Sequence, residues 1–208
     1  MDYTTHVNFL QQKGQELFGP HFLIHETDHN LLRKLIAYFL RNQEQTGQFN
    51  LNLSKGILLT GPIGTGKTTI MTLMRLLLPP SYRFAVKSCR ELTFDFIKDG
   101  YQIIQKYSTQ AFASTYPIIH DPKKPIPCCF DDHGTESSIK YFGNKCNVMG
   151  EILLSRYDCF IANKMITHAT TNLSASELEA IYGNRVHSRL REMFNLIAFD
   201  KDTPDKCT

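Results

Sequence analysis

The run Gly61-Pro62-Ile63-Gly64-Thr65-Gly66-Lys67-Thr68 fits the pattern G-x-x-x-x-G-K-[ST]. Glycines at these positions let the backbone curl until several N–H groups face one anion. A helix starting at Lys67 adds the favourable field of its N-terminus. In such a loop Lys67 reaches the β- and γ-phosphates of a nucleoside triphosphate, and the Thr68 hydroxyl binds Mg²⁺. Thr69, next in the chain, completes the set expected around the phosphates. The bland alternative is a glycine turn beside a surface lysine.

A phosphate loop needs a second element for the metal. The apolar run Ile126–Phe130 reads as a strand, and it ends in Asp131-Asp132. Asp131 is then placed to hold Mg²⁺ through water, as a Walker B aspartate does. Asp132 could orient or deprotonate the attacking water. Many ATPases carry Glu there, and Asp is one methylene shorter. The competing reading is that both acids only cap the following loop.

The elements that must position these groups follow from periodicity. Apolar residues between His6 and Phe18 fit one helical face, stopped by Gly19-Pro20. Asp28 reads as the cap of a second helix, whose Leu31, Leu32, Leu35, Ile36, Phe39 and Leu40 recur at spacings of three and four. Arg41–Asn50 reads as a loop. Buried strands then alternate with helices: strands at Ile57–Leu59, Arg83–Val86, Ile126–Phe130, Met165–Thr170 and Leu196–Phe199, and helices at Lys67–Leu78, Glu91–Gln105, Gly150–Asn163 and Arg185–Met193. Ser174 and Glu177 have capping-box spacing for one more short helix. This alternation predicts an α/β fold with a parallel five-stranded sheet flanked by helices. Tyr107–Lys124 reads as an irregular insertion. The expected division is an N-terminal helical segment over 1–50, a nucleotide-binding core over 51–200 and a short tail over 201–208.

Two further motifs carry a family resemblance. A strand ending in Thr171-Asn172 resembles sensor 1 of the AAA+ ATPases, in which a polar side chain contacts the γ-phosphate or the lytic water. Asn172 is that residue here. The stretch Tyr182-Gly183-Asn184-Arg185-Val186-His187-Ser188-Arg189-Leu190 resembles the arginine-finger box Y-G-E-R-x-x-S-R-L of the DnaA/DnaC/IstB branch, with Asn184 in place of the usual Glu. Gly56–Phe199 thus resembles a DnaC-type helicase loader or an IstB-type transposition ATPase. The resemblance implies a P-loop NTPase with an AAA+ core. ATP and Mg²⁺ would be its ligands, and a homo-oligomer would form in which Arg185 or Arg189 points at a neighbour's γ-phosphate. A replicative helicase or a transposase would be the partner. Both arginines share a helical face, so spacing does not choose between them; pairing with Glu179 or Glu192 is the ordinary alternative. Arg156 is expected near the subunit interface or paired with Asp158 or Glu151. Only Asp200–Thr208 follow Phe199, with Lys201 and Lys206 but no arginine, so little or no helical lid is expected.

Other features bound the reading. The chain has 208 residues, 42% hydrophobic and 21% charged, as for an average globular chain. A net charge of +3 permits, without requiring, contact with nucleic acid. Tyr101, Tyr107, Phe112 and Tyr116 interleave with Lys98 and Lys106, a candidate surface for stacking on single-stranded DNA, although core packing of a helix gives the same pattern. No apolar run reaches the length of a membrane span, and Met1–His6 does not read as a signal peptide, so a cytoplasmic protein without membrane partners is expected. The six cysteines form no C-x-x-C pair and read as reduced, mostly core thiols. His21, His25 and His29 are four apart, a metal-ligand spacing, but Gly19-Pro20 and the cap at Asp28 break the helix it needs. A loop near the adenine or an ordinary surface is the alternative. His133 reads as a neighbour of the acidic pair. Two other function classes use a P-loop: a small-molecule kinase, with Arg185–Arg191 imitating its lid, and a nucleotide-gated binding module without turnover.

Overall fold

Ile57, Leu58 and Leu59 have no polar neighbour to alternate with, and a strand of this kind is stable only with both faces covered. The computed structural model describes residues 2–113, 124–136, 139–141, 144–200 and 203–206, and it puts that strand inside a five-stranded sheet. Its strands are β1 (Gly56–Thr60), β2 (Ala85–Ser88), β3 (Cys128–Asp131), β6 (Thr167–Thr171) and β7 (Phe194–Ala198). All pairings are parallel, in the order β2-β3-β6-β1-β7. A separate antiparallel pair, β4 (Ile139–Tyr141) and β5 (Asn144–Cys146), lies outside this sheet.

The side-chain alternation of a strand splits the core in two. Leu58, Cys128 and Phe130 face α5 (Cys89–Asp99), α6 (Gln102–Tyr107), α7 (Val148–Asn163) and α8 (Ala175–Met193). Ile57, Leu59 and Cys129 face α1 (Tyr3–Phe18), α2 (His29–Phe39) and α4 (Lys67–Met74). The N-terminal helices therefore pack on the same side as the helix that follows the glycine loop. Among the described residues no helix is long and apolar enough to cross a membrane. Cys89, Cys128, Cys129 and Cys159 are buried free thiols and Cys146 is half-buried; Cys207 lies outside the described residues. Burial pushes the Cys128 thiol up to about 11, so it packs as a small apolar group.

Several sequence expectations need correction. Arg41–Asn50 is not wholly a loop: Asn42 accepts from the Gln45 N–H at 3.1 Å and caps the short helix α3 (Gln43–Gln48). The helix expected over Glu91–Gln105 is two, because Gly100 at φ 62° ends α5. Helix α4 passes into a tighter turn at Arg75–Leu77. Asp28 sits at the start of α2 but makes no side-chain cap bond to that helix; its carboxylate accepts instead from the His25 N–H at 3.2 Å, across the preceding turn Glu26–Asp28. Arg156 is neither at the surface nor paired with an acid. It is fully buried, and its guanidinium donates to the carbonyls of Tyr107 at 2.7 Å and Ile166 at 2.9 Å and to Thr167 Oγ1 at 2.7 Å. It joins α6 to the entry of β6 through acceptors that would otherwise be stranded.

His168 shows how tightly the face under α2 is closed. Its Nδ1 accepts from the Ile57 N–H at 3.1 Å, and its ring lies 4.8 Å from that of Phe84 and 5.3 Å from that of Phe39. Burial, helped by the positive Arg156, pushes its pKa down to about 3. The unfolded chain protonates this imidazole near pH 6.5 while the folded chain does not, so stability is full above that pH and falls on acidification. Between pH 7 and pH 5 this one group should cost about 2 kcal/mol. Denaturant melts of wild type and His168→Gln at the two pH values measure it: the variant should lose less on acidification by about that amount, and equal losses would refute the assignment.

Candidate functional site

The site is built where three parallel strands end side by side. After β1, residues Gly61–Gly66 loop round to α4, with Gly64 at φ 77° and Gly66 at φ 86°. Side chains with a Cβ are strained at both positions, so the two glycines are what the turn requires. Thr65 is buried and its hydroxyl donates to the Pro62 carbonyl at 3.0 Å, which fixes the inside of the loop. The Lys67 ammonium is drawn into the curl and donates to the carbonyls of Gly61 at 2.9 Å and Pro62 at 2.7 Å. Ile63 stands at the exposed tip.

Across the cleft, the carboxylate of Asp131 accepts from the Thr68 hydroxyl, with its two oxygens 2.9 and 2.8 Å away. It also accepts from Thr170 Oγ1 at 2.6 Å. Thr170 Oγ1 in turn accepts from the Asp132 N–H at 2.9 Å, holding Asp132 in a left-handed turn at φ 56°. That turn swings the Asp132 side chain out of the strand line and into the cleft. Burial, followed by the charge of Asp131, raises the pKa of Asp132. Asn172 follows β6. Its Oδ1 is buried and has no hydrogen-bond partner among the described residues. A buried acceptor without a donor is costly unless a ligand supplies one.

One cleft of about 430 Å³ unites these groups, lined by Ile63, Gly64, Gly66, Lys67, Thr68, Thr69, Asp132, Thr135 and Asn172. A second cavity of about 200 Å³ adjoins it across Gly64, Gly66 and Thr69. Its apolar walls include Phe18, Phe22, Ile24 and Ile70, and His21 and His25 also line it. The first space could take the phosphates of a nucleotide, and the second has the apolar character that a flat base needs. His29 is elsewhere, bonded through Nδ1 to the Tyr3 hydroxyl at 2.7 Å, so the three spaced histidines do not converge. Mg²⁺ would fit between Thr68 and Asp131, whose oxygen donors suit a hard cation.

The two arginines of the last motif differ. Helix α8 breaks at Gly183, with φ 79° and ψ 164°; an added Cβ there would meet no other atom, so the backbone angle alone calls for glycine. Beyond the break Arg185 is exposed, and its side chain makes no hydrogen bond, ion pair or ring contact among the described residues. Arg189 bonds the Tyr157 hydroxyl and Glu192, both at 3.1 Å, and lies over the Tyr157 ring at 4.2 Å. The proposed stacking row does not form either: Tyr107 and Phe112 pack against core clusters, Tyr101 is exposed, and Tyr116 lies outside the described residues.

The fold is that of the AAA+ P-loop ATPases. The DnaC helicase loader matches 87% of this chain and 94% of its own at TM-score 0.56 and 16% identity. A protein described as a primosome component from Streptococcus pyogenes serotype M3 matches 98% of this chain and all of its own at TM-score 0.57 and 14% identity. AMPPCP-bound DnaA from Aquifex aeolicus matches 90% of this chain and 50% of its own at TM-score 0.56 and 15% identity. No protein-family model and no curated protein sequence matches the chain. The likeness is therefore one of AAA+ fold.

Around this cleft stand further residues that no sequence motif marks. Thr170 is the hinge of the acid pair. Tyr182 donates to Glu136, and its hydroxyl lies 3.0 Å from Nδ1 of His133, whose ring stacks on the tyrosine at 4.3 Å. Burial holds His133 neutral, with its pKa pushed down to about 3. Cys89, His133 and Glu136 come close enough together to suggest a metal, but the Tyr182 hydroxyl already bonds two of the three. An acid four residues beyond Asp132 was the available signal for Glu136; nothing in the sequence flagged Thr170.

Lys67→Ala should abolish nucleotide binding, measured by titration with a fluorescent ATP analogue. Asn172→Ala should bind the analogue normally but turn ATP over about a hundredfold more slowly. Unchanged turnover would remove Asn172 from the reacting end of the site.

Proposed function

We propose that this chain is an ATP-hydrolysing AAA+ switch of the DnaC/IstB branch. Its role resembles that of a DnaC-type replicative helicase loader acting in DNA replication. One observation carries the reading: Lys67, Thr68, Asp132 and Asn172 line one cleft, with Asp131 bonded to Thr68 beside it, while Arg185 stands exposed outside it and makes no side-chain contact among the described residues.

The parts have distinct tasks. The backbone of Gly61–Gly66 and the ammonium of Lys67 bind the β- and γ-phosphates. Thr68 and Asp131 would hold Mg²⁺, whose charge would offset that of the phosphates. Asp132 accepts the proton of a water whose oxygen attacks the γ-phosphorus; the bond to the β–γ bridging oxygen breaks, leaving ADP and phosphate. Asn172 orients that water or the γ-phosphate. Arg185 of a neighbouring copy neutralises the charge that develops on the transferred group. Arg189, occupied by Tyr157 and Glu192, holds the helix that presents it. Hydrolysis then weakens the contact between copies, which makes nucleotide state an assembly signal.

The named likenesses support the partner. The DnaC helicase loader, DnaI and the described primosome component share this fold over most of their lengths. A replicative helicase is accordingly the proposed partner.

Arg185→Ala should keep ATP binding and lose turnover by about a thousandfold. The wild-type rate per molecule should rise with protein concentration. Wild-type turnover by Arg185→Ala at high concentration would sink the trans finger. Asp132→Asn should bind ATP without hydrolysing it and trap the assembly. An affinity pull-down with that variant that recovers a replicative helicase supports the loader; recovery of a transposase instead makes the chain a transposition helper.

A further inference from the structure

The described C-terminal residues Thr203–Lys206 run back over the glycine loop. The Lys206 N–H donates to the Gly64 carbonyl at 2.9 Å. A Cβ added to Gly64 would lie 1.9 Å from Asp205 Oδ1, so the strap rests directly on the loop. The Lys206 ammonium crosses to the far wall and donates to both carboxylate oxygens of Asp28, at 2.6 and 2.7 Å. Asp28 is only 2% exposed and also accepts from the His25 N–H at 3.2 Å. The ammonium lies 5.2 Å from the centre of the Phe199 ring, which further confines it.

This ion pair is the place where the N-terminal segment, the strap and the glycine loop meet. Asp28 and Lys206 both line the apolar cavity beside Gly64 and Gly66. A carboxylate buried this deeply is tolerated because the ammonium faces it, and removing one partner leaves the other uncompensated. The pair therefore holds the segment that carries Phe22 and Ile24 against the loop.

We propose that the strap is the lid of this site's base side. In it Lys206 and Asp28 are positioning residues that close the cavity around the heteroaromatic base of a bound nucleoside triphosphate and set how long the nucleotide stays. The inference rests on the ATP reading above. The strap's enclosing task lies at the base, away from the γ-phosphate.

The test compares a ligand with a base and a ligand without one. Release of a fluorescent ATP analogue is followed by stopped flow, and binding of tripolyphosphate by calorimetry, for wild type, Lys206→Ala and Lys206→Arg. Lys206→Ala should release the ATP analogue about tenfold faster, because loss of one member of a buried charge pair acts mainly on the off-rate. Its affinity for tripolyphosphate should stay within about twofold of wild type. Lys206→Arg, which keeps the charge, should restore slow release. Wild-type release by Lys206→Ala overturns the proposal. So does a parallel loss of tripolyphosphate binding, which would mean that the strap only maintains the shape of the loop. Failure of the ATP reading itself looks different: wild type and Lys67→Ala would then bind ATP equally weakly, and the strap would fall with it.

Discussion

Two hydroxyls meet on one carboxylate at the head of the sheet, and much of the site's form follows from that meeting. Asp131 leaves β3 at the level where Thr170 of the neighbouring strand can donate to it, because Phe130 pairs with Ala169 in register. Thr68 reaches the same carboxylate from the first turn of α4. A one-residue slip of β3 against β6 would turn Asp131 toward the opposite face and separate it from both. The register is in turn fixed by the apolar side chains below it, since Cys128 and Phe130 must enter one core and Cys129 the other. The packing of small thiols and a phenyl ring thus decides where the Asp131 carboxylate sits.

The same geometry separates the two neighbouring acids. Asp131 continues the strand and is enclosed by hydroxyls. Asp132 is turned into the left-handed region by its N–H bond to Thr170, and it faces the cleft. Identical side chains one residue apart therefore receive a structural environment and a solvent-facing one. That division suits a metal ligand and a proton acceptor, and it uses backbone conformation where a longer side chain would use reach.

The legibility of this in sequence was uneven for physical reasons. The glycine loop, the acids and Asn172 are local signals, each a short run at the end of an apolar strand, and the structure brings those three runs into one cleft. Strand and helix types were readable because burial on both faces leaves long apolar runs. What failed was tertiary. Asp28 looks like a cap because caps are acidic and precede helices, yet its carboxylate serves an ammonium 178 residues away. Arg156 looks like a surface residue because most arginines are, yet four inward-facing acceptors claim its guanidinium. Spacing cannot report such partners, because they come from elements far apart in the chain.

Arg185 and Arg189 show where sequence and structure complement each other. Helical spacing places them on one face and stops there. The break at Gly183 and the half-buried Tyr157 separate them: one guanidinium is stacked and bonded, the other is offered to solvent. A group that acts on a neighbour's ligand must not be satisfied at home, since any intramolecular partner would have to be given up on assembly. Arg189 would have to give up Tyr157 and Glu192, whereas Arg185 gives up only water. In the assembly proposed above that cost favours Arg185, which stands just beyond the break at Gly183.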